Sequence, residues 1–281
     1  MILNQIKTLL LLGTLTAILL WVGSLFGAQG MTIAIIFVLV MNVITYFFSD
    51  KFVLFMYKAR EIKHKDEPKL HEMVERIAKA ASIPKPRVYI IDTDTPNAFA
   101  TGRNPKHAVV AVTKGIMQLL SKEELEGVIA HEISHVKNRD ILIATIAATI
   151  AGIISYAAMM ARFAAIFGGG SNDRDRGNVL ELLLLSILVP LIATIVQLAI
   201  SRSREYLADE SGARLVNNPK ALAHALLKID NAVKHNPLQF GSQATASLFI
   251  TNPFSMKGMF KLFSTHPATE DRVKKLNAME I

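Results

Sequence analysis

The chain has 281 residues, 51% of them hydrophobic, and a formal charge of +8 at pH 7. It has no cysteine, which excludes disulfides, thiolate metal sites and a cysteine nucleophile, so any metal must be held by histidine and carboxylate. The basic residues cluster beside long apolar runs without interleaved aromatics, so membrane topology accounts for the charge and no nucleic-acid partner is expected.

No charged residue lies between Lys7 and Asp50. The run from Thr8 to Ser49 is about twice the roughly 20 residues that cross a bilayer, and Gly27-Ala28-Gln29-Gly30 breaks it. The expectation is a transmembrane hairpin over 1–50, with spans at about 8–26 and 31–49. A cleaved signal peptide would be shorter and would not be followed at once by a second span. Trp21 near the turn, and Tyr46, Phe47 and Phe48 at the far end, suit the two aromatic belts.

Lys51, Lys58, Arg60, Lys63 and Lys65 then form a juxtamembrane positive cluster. Leu70, Met73, Val74, Ile77 and Ala81 recur at helical spacing, which predicts an amphipathic helix from about Pro68 to Ala81. His64 and His71 fall in this polar stretch and read as solvated. Arg87–Ile91 and His107–Val112 are β-rich runs bounded by Pro84, Pro86, Gly102 and Pro105. Between them, Asn97, Ala98, Phe99, Ala100, Thr101 and Gly102 are either ordinary sheet and turn or an edge strand that pairs with an extended peptide.

The stretch Val128 to Val136 carries His131-Glu132-Ile133-Ser134-His135. Positions four apart share one helical face, so both imidazoles can close on one metal while Glu132 reaches a water beside it. Ser121 and Glu124 form a capping-box pattern, and Leu125, Val128, Ile129 and Ile133 keep helical spacing. A small sheet packed on this helix completes a first cytosolic part, 51–140.

Ile141 to Ala161 is again free of charge, as is Leu182 to Ser201 with Pro190 inside it. A second hairpin over 141–201 is expected, with spans at about 141–161 and 182–201. Lys7, the 51–65 cluster, Lys137, Arg139, Arg202 and Arg204 fall on one side, against Arg162, Arg174 and Arg176 on the other. That bias puts both termini and the His-Glu motif in the cytosol. Residues 202–281 form a second cytosolic part.

A catalytic zinc takes three protein ligands and leaves one position open. His135 precedes Ile141 by six residues and Glu205 follows Ile200 by five. If both helices run on out of the bilayer at about 1.5 Å per residue, His135 and Glu205 stand at nearly the same height. Glu205 is therefore the candidate third ligand; the alternative is a surface ion pair with Arg202 or Arg204. Asp209 lies on the same helical face and can take a second ring N–H from a ligating histidine, or it is a solvated carboxylate.

His131-Glu132-Ile133-Ser134-His135 with Glu205-Tyr206-Leu207-Ala208-Asp209 resembles the glutamate-zincin pattern. Together with the two apolar hairpins and Asn97–Gly102, the chain resembles the HtpX membrane metalloproteases, relatives of the Ste24 and Oma1 proteases. The resemblance implies an α+β, mainly α fold: a polytopic membrane protein whose cytosolic glutamate-zincin domain carries a small β-sheet. It implies one Zn2+ per chain held by His131, His135 and Glu205, in the inner membrane of a prokaryote. It further implies an endopeptidase that degrades misfolded membrane proteins under stress and can cleave itself, with protein substrates and the lipid bilayer as partners. Within it His266 and Arg272 match a C-terminal motif. His266 is then an oxyanion donor or a capping or surface residue, and Arg272 either another donor or an orienting ion pair.

Glu132 is the expected general base. The rivals are processing of prenylated peptides and a non-catalytic membrane scaffold or transporter with a structural zinc, for which His266 is the candidate fourth ligand. His107, His224 and His235 lack partner spacing and read as structural or solvated. Asn236–Met256 carries no charge but makes a poor span; with Lys257–Phe263 it is expected to form a mobile cover touching the membrane.

Overall fold

The computed structural model describes residues 27–142, 144–146, 202–241, 243–254 and 266–280, with scattered positions between 13 and 24. The expected spans at 8–26 and 182–201, most of that at 141–161, and Lys257–Phe263 lie outside the described residues.

Helix α1 (Gly27–Met56) begins at the predicted glycine break. Strand β1 (Arg60–Glu61), helix α2 (Pro68–Ala80), β2 (Arg87–Ile91), β3 (Ala98–Thr101) and β4 (Val109–Thr113) follow. Next come α3 (Lys114–Leu119), the motif helix α4 (Lys122–Asn138), α5 (Arg202–Val216), α6 (Pro219–His235) and α7 (Thr269–Asn277). The sheet order is β1-β2-β4-β3, with β2 and β4 parallel and the other pairs antiparallel.

Strand alternation divides the core into two. Val88, Ile90, Ala98, Val110 and Val112 face α2, α4 and α6. Val109, Ala111, Ile91 and Phe99 face the opposite way, onto Val53, Leu54 and Tyr57 of α1 and onto Leu238, Leu248 and Phe249. Strand β4 is therefore buried along its whole length, and its unbroken apolar run Val109-Val110-Ala111-Val112 follows from that. Gly102, at φ 131°, ends β3 where a Cβ would lie 2.3 Å from the His107 carbonyl oxygen.

Three expectations change here. His71 is not solvated: it is buried on the core side of α2, with Nε2 3.1 Å from the Ile62 carbonyl. Within 236–256, Leu238, Ala246, Leu248, Phe249 and Ile250 are buried. That part is not a mobile cover; its lack of charge reflects burial against the sheet's second face. The motif helix also does not run on towards Ile141. It stops at Asn138, with Arg139 in the left-handed region (φ 60°). The Arg139 N–H donates to Val136 O, and the Asp140 N–H donates to His135 O at 3.0 Å. This is the paired 5→2 and 6→1 closure of a Schellman motif, and it turns the chain back on the helix.

Among the described residues no helix is long and apolar enough to cross a membrane. In α1 the described side chains are interrupted at 41, 42 and 45. Those that are described between Ile33 and Phe48 are mostly exposed apolar groups.

Candidate metal centre

Helix α4 starts as its sequence dictates: Ser121 Oγ accepts from the Glu124 N–H and the Glu124 carboxylate accepts from the Ser121 N–H. One turn apart, His131 and His135 bring their Nε2 atoms to 3.1 Å. Helix α5 crosses against α4 and delivers Glu205, with its oxygens 3.8 Å from His131 Nε2 and 3.5 Å from His135 Nε2. One ligand atom from each residue falls within 4.8 Å of the others, so the predicted ligand set is brought together.

The second nitrogen of each ring lies beside a carboxylate. His131 Nδ1 lies 2.9 Å from Asp209 Oδ1, and His135 Nδ1 lies 3.3 Å from Asp140 Oδ2. With both rings neutral and a proton on each Nδ1, the two Nε2 lone pairs face the Glu205 carboxylate. In that state acceptors meet without a donor, and a metal cation can take the place of the ring proton. Two imidazoles and one carboxylate fit zinc in a three-ligand site with an open position.

Asp209 occupies the expected place beside His131. Asp140 was missed in the sequence, where it reads as the polar end of a helix; the left-handed turn at Arg139 carries it back. Gly212 was missed as well. A Cβ there would lie 2.7 Å from the His131 backbone nitrogen, so only glycine lets α5 approach α4 this closely. Gly212→Ala should cost about 1–3 kcal/mol of stability by overpacking. It should also weaken metal binding at the donor set, because Glu205 rides on the displaced helix; thermal unfolding with and without added metal, plus metal titration, checks both.

Arg272 is buried and grips Asp209 side-on, with Nε and Nη2 donating at 2.8 and 2.6 Å and Nη1 donating to the Ile250 carbonyl at 2.7 Å. Of the two roles open for it, the orienting ion pair is the one this geometry builds. His266 sits with Nδ1 3.2 Å from Glu205 Oε2 and Nε2 3.4 Å from the Ala246 carbonyl oxygen. It braces the third ligand, and it is not among the residues lining the cavity at the donor set. Neither the oxyanion role nor a fourth ligand position is built here.

Burial and neighbouring charges set the protonation states. Burial pushes the Glu132 carboxyl up to about 7, although His135 and an N–H from Ala100 pull the other way. Burial depresses His131, and the Asp209 carboxylate partly opposes this. Burial also disfavours charge on His135, but Asp140 and Glu205 outweigh it and push the ring up to about 9. For Glu205, burial is overcome by His266, His135 and Arg272, which hold it well below the usual carboxylate range.

Strand β3 lies at the sheet edge, the position that the peptide-pairing alternative for Asn97–Gly102 requires. Part of that edge is already taken by the chain itself: Phe99 bridges Phe249, and the Ile250 N–H donates to the Ala98 carbonyl at 3.0 Å. Asn97 is buried, and its amide donates to the Thr251 carbonyl at 2.9 Å. The cavity at the donor set measures about 30 Å³, enough to hold water.

Comparisons with known proteins agree with this arrangement. The pattern of peptidase family M48 matches residues 64–280. A protease HtpX homolog of Pyrococcus furiosus is 54% identical over 279 residues, covering 98% of this chain and 96% of its own. One from Syntrophobacter fumaroxidans is 49% identical over 280 residues, covering 98% and 99%. The crystal structure of S. mikatae Ste24p superposes with a TM-score of 0.53 at 19% identity, over 98% of this chain and 66% of that one. At that identity the likeness concerns the fold.

Proposed function

This chain belongs to peptidase family M48, and from that membership we propose that it is a zinc-dependent endopeptidase held at the membrane, where it hydrolyses peptide bonds of misfolded or damaged membrane proteins. The observation that carries the reading is the buried triangle of His131, His135 and Glu205, able to hold a metal ion, with the buried Glu132 carboxyl on the same helix.

His131, His135 and Glu205 would hold the ion, and Asp209 and Asp140 fix the rings that face it. Zinc supplies Lewis acidity there: it makes water nucleophilic at neutral pH and polarises a carbonyl. Glu132 is placed to take a proton from attacking water and return it to the leaving amine, and a carboxyl poised near 7 suits both transfers. Arg272 holds Asp209 and His266 holds Glu205, so the ligands need little rearrangement during the reaction.

The membrane assignment rests on the exposed apolar side chains of α1 and on its basic, aromatic end. Lys51 lies 5.0 Å over the Phe48 ring, Arg103 lies 5.5 Å over Phe47, and Phe55 is 83% exposed. That pattern suits a bilayer interface facing the cytosol. His266, engaged by Glu205 and Ala246, does not close the ligand set, which is why a purely structural zinc is not preferred.

The test is cleavage of casein and of an unfolded membrane protein by the detergent-purified chain, with zinc removed and restored. Loss on chelation and recovery with zinc is expected; activity indifferent to chelation would overturn the reading. Glu205→Ala should lose most of the bound metal, and full occupancy by elemental analysis would remove Glu205 from the ligand set.

A further inference from the structure

Arg204 precedes Glu205 on α5 and is only 8% exposed, yet its Nε and Nη2 have no hydrogen-bond partner among the described residues. It lines the same cavity as Glu132 and the metal donors. Nε and Nη2 form one edge of the guanidinium, the same edge with which Arg272 grips Asp209. On Arg272 the fork is filled; on Arg204 it is empty. A second unpartnered polar atom, Ser247 Oγ, belongs to a residue that lines the same cavity. Buried donors left unmade cost free energy comparable to a lost hydrogen bond, so a site that keeps them is arranged for a ligand.

Charge identifies the ligand. Asp140 and Glu205 act on Arg204 through space without bonding to it. With a divalent cation in the donor set, the positive charges of that ion and Arg204 balance Glu132, Glu205 and Asp140. The guanidinium therefore needs acceptors rather than an anion, and a peptide carbonyl is a neutral acceptor with two lone pairs. We propose that Arg204, which lines this cavity with Ser247, is a substrate-binding residue whose Nε–Nη2 edge holds a main-chain carbonyl of the peptide next to the scissile bond. This deepens the peptidase reading and takes its ligand class from it.

At about 30 Å³ the cavity admits a water and not a peptide segment. The substrate carbonyl takes the place of water at the fork. Main-chain recognition of this kind reads extension and ignores side chains, which suits a protease of unfolded segments.

The experiment measures binding, so it does not depend on turnover. A casein-derived peptide that binds zinc-loaded Glu132→Gln protein is resynthesised with one backbone carbonyl at a time reduced to methylene. One analogue should bind about 10- to 100-fold more weakly, the range for a hydrogen bond to a charged donor. In the double variant Glu132→Gln/Arg204→Gln that same replacement should cost less than twofold. Arg204→Lys keeps the charge without the fork, and it should lose the coupling too. Zinc content and melting temperature report on the fold of each variant.

Coupling below twofold at every carbonyl, restoration by lysine, or tighter binding of peptides bearing an added carboxylate through Arg204 would each overturn the proposal, as would failure of any casein peptide to bind. A wild-type protein that binds the peptide with this coupling but never cuts it would instead remove the peptidase reading and leave the carbonyl site standing.

Discussion

Glu132→Gln should lower peptide hydrolysis by about 10²–10⁴-fold, the usual contribution of a positioned proton carrier, while leaving zinc bound. The amide keeps an oxygen for the Ala100 N–H but cannot take a proton from water. The same substitution should stabilise the metal-free protein. The folded-state value of about 7 lies above the ordinary 4.5 of this carboxyl because burial disfavours its charge. A group raised in this way favours folding below about 4.5, and that contribution is lost as pH rises through about 7. Above pH 7 the wild type therefore carries a buried charge that glutamine lacks, a difference of up to about 3 kcal/mol. Thermal unfolding of both metal-free proteins at pH 8 and pH 4.5 checks this: the variant should lead at pH 8 and the gap should close at pH 4.5. Unchanged hydrolysis by purified, zinc-loaded variant would end the proton-carrier role.

Arg272→Met should cost about 3–5 kcal/mol, the range for breaking a buried ion pair on one side. The cause is less the lost attraction than what remains: Asp209 is buried beside His131 and would keep its charge without a partner. Arg272→Lys should not rescue, because one ammonium cannot reach both Asp209 oxygens and the Ile250 carbonyl in this geometry. Adding Asp209→Asn to Arg272→Met should recover part of the loss, since it removes the stranded charge. Additive losses in that double-mutant cycle would show that the two residues do not act together.

Much of the frame could be read directly. The amphipathic helix α2 follows a period of 3.6 residues, β2 and β4 lie within the two β-rich runs, and the capping box at Ser121 marks the start of α4. The height argument for Glu205 selected a residue that the structure does bring beside the histidine pair, although one premise fails. The motif helix ends at Asn138, and it is the crossing of α5 over α4 at Gly212 that sets the distance. His71 and the Leu238–Ile250 stretch were misread because composition alone does not tell a polar segment with one inward face from a solvated one, or an uncharged loop from a buried wall.

The sequence by itself determined that imidazoles and carboxylates are the donors on offer, the spacing of the histidine pair, the position of Glu132 between them and the shared helical face of Glu205 and Asp209, because helical spacing maps four residues onto one turn. Tertiary structure alone decided what each ligand's second atom touches. Asp140 returns through a left-handed turn, Arg272 arrives from the last helix to fill one carboxylate fork, and Arg204 faces the cavity with its own fork empty. Those placements depend on where separate helices cross, and crossing positions are set by packing between surfaces far apart in the chain, which no local spacing encodes.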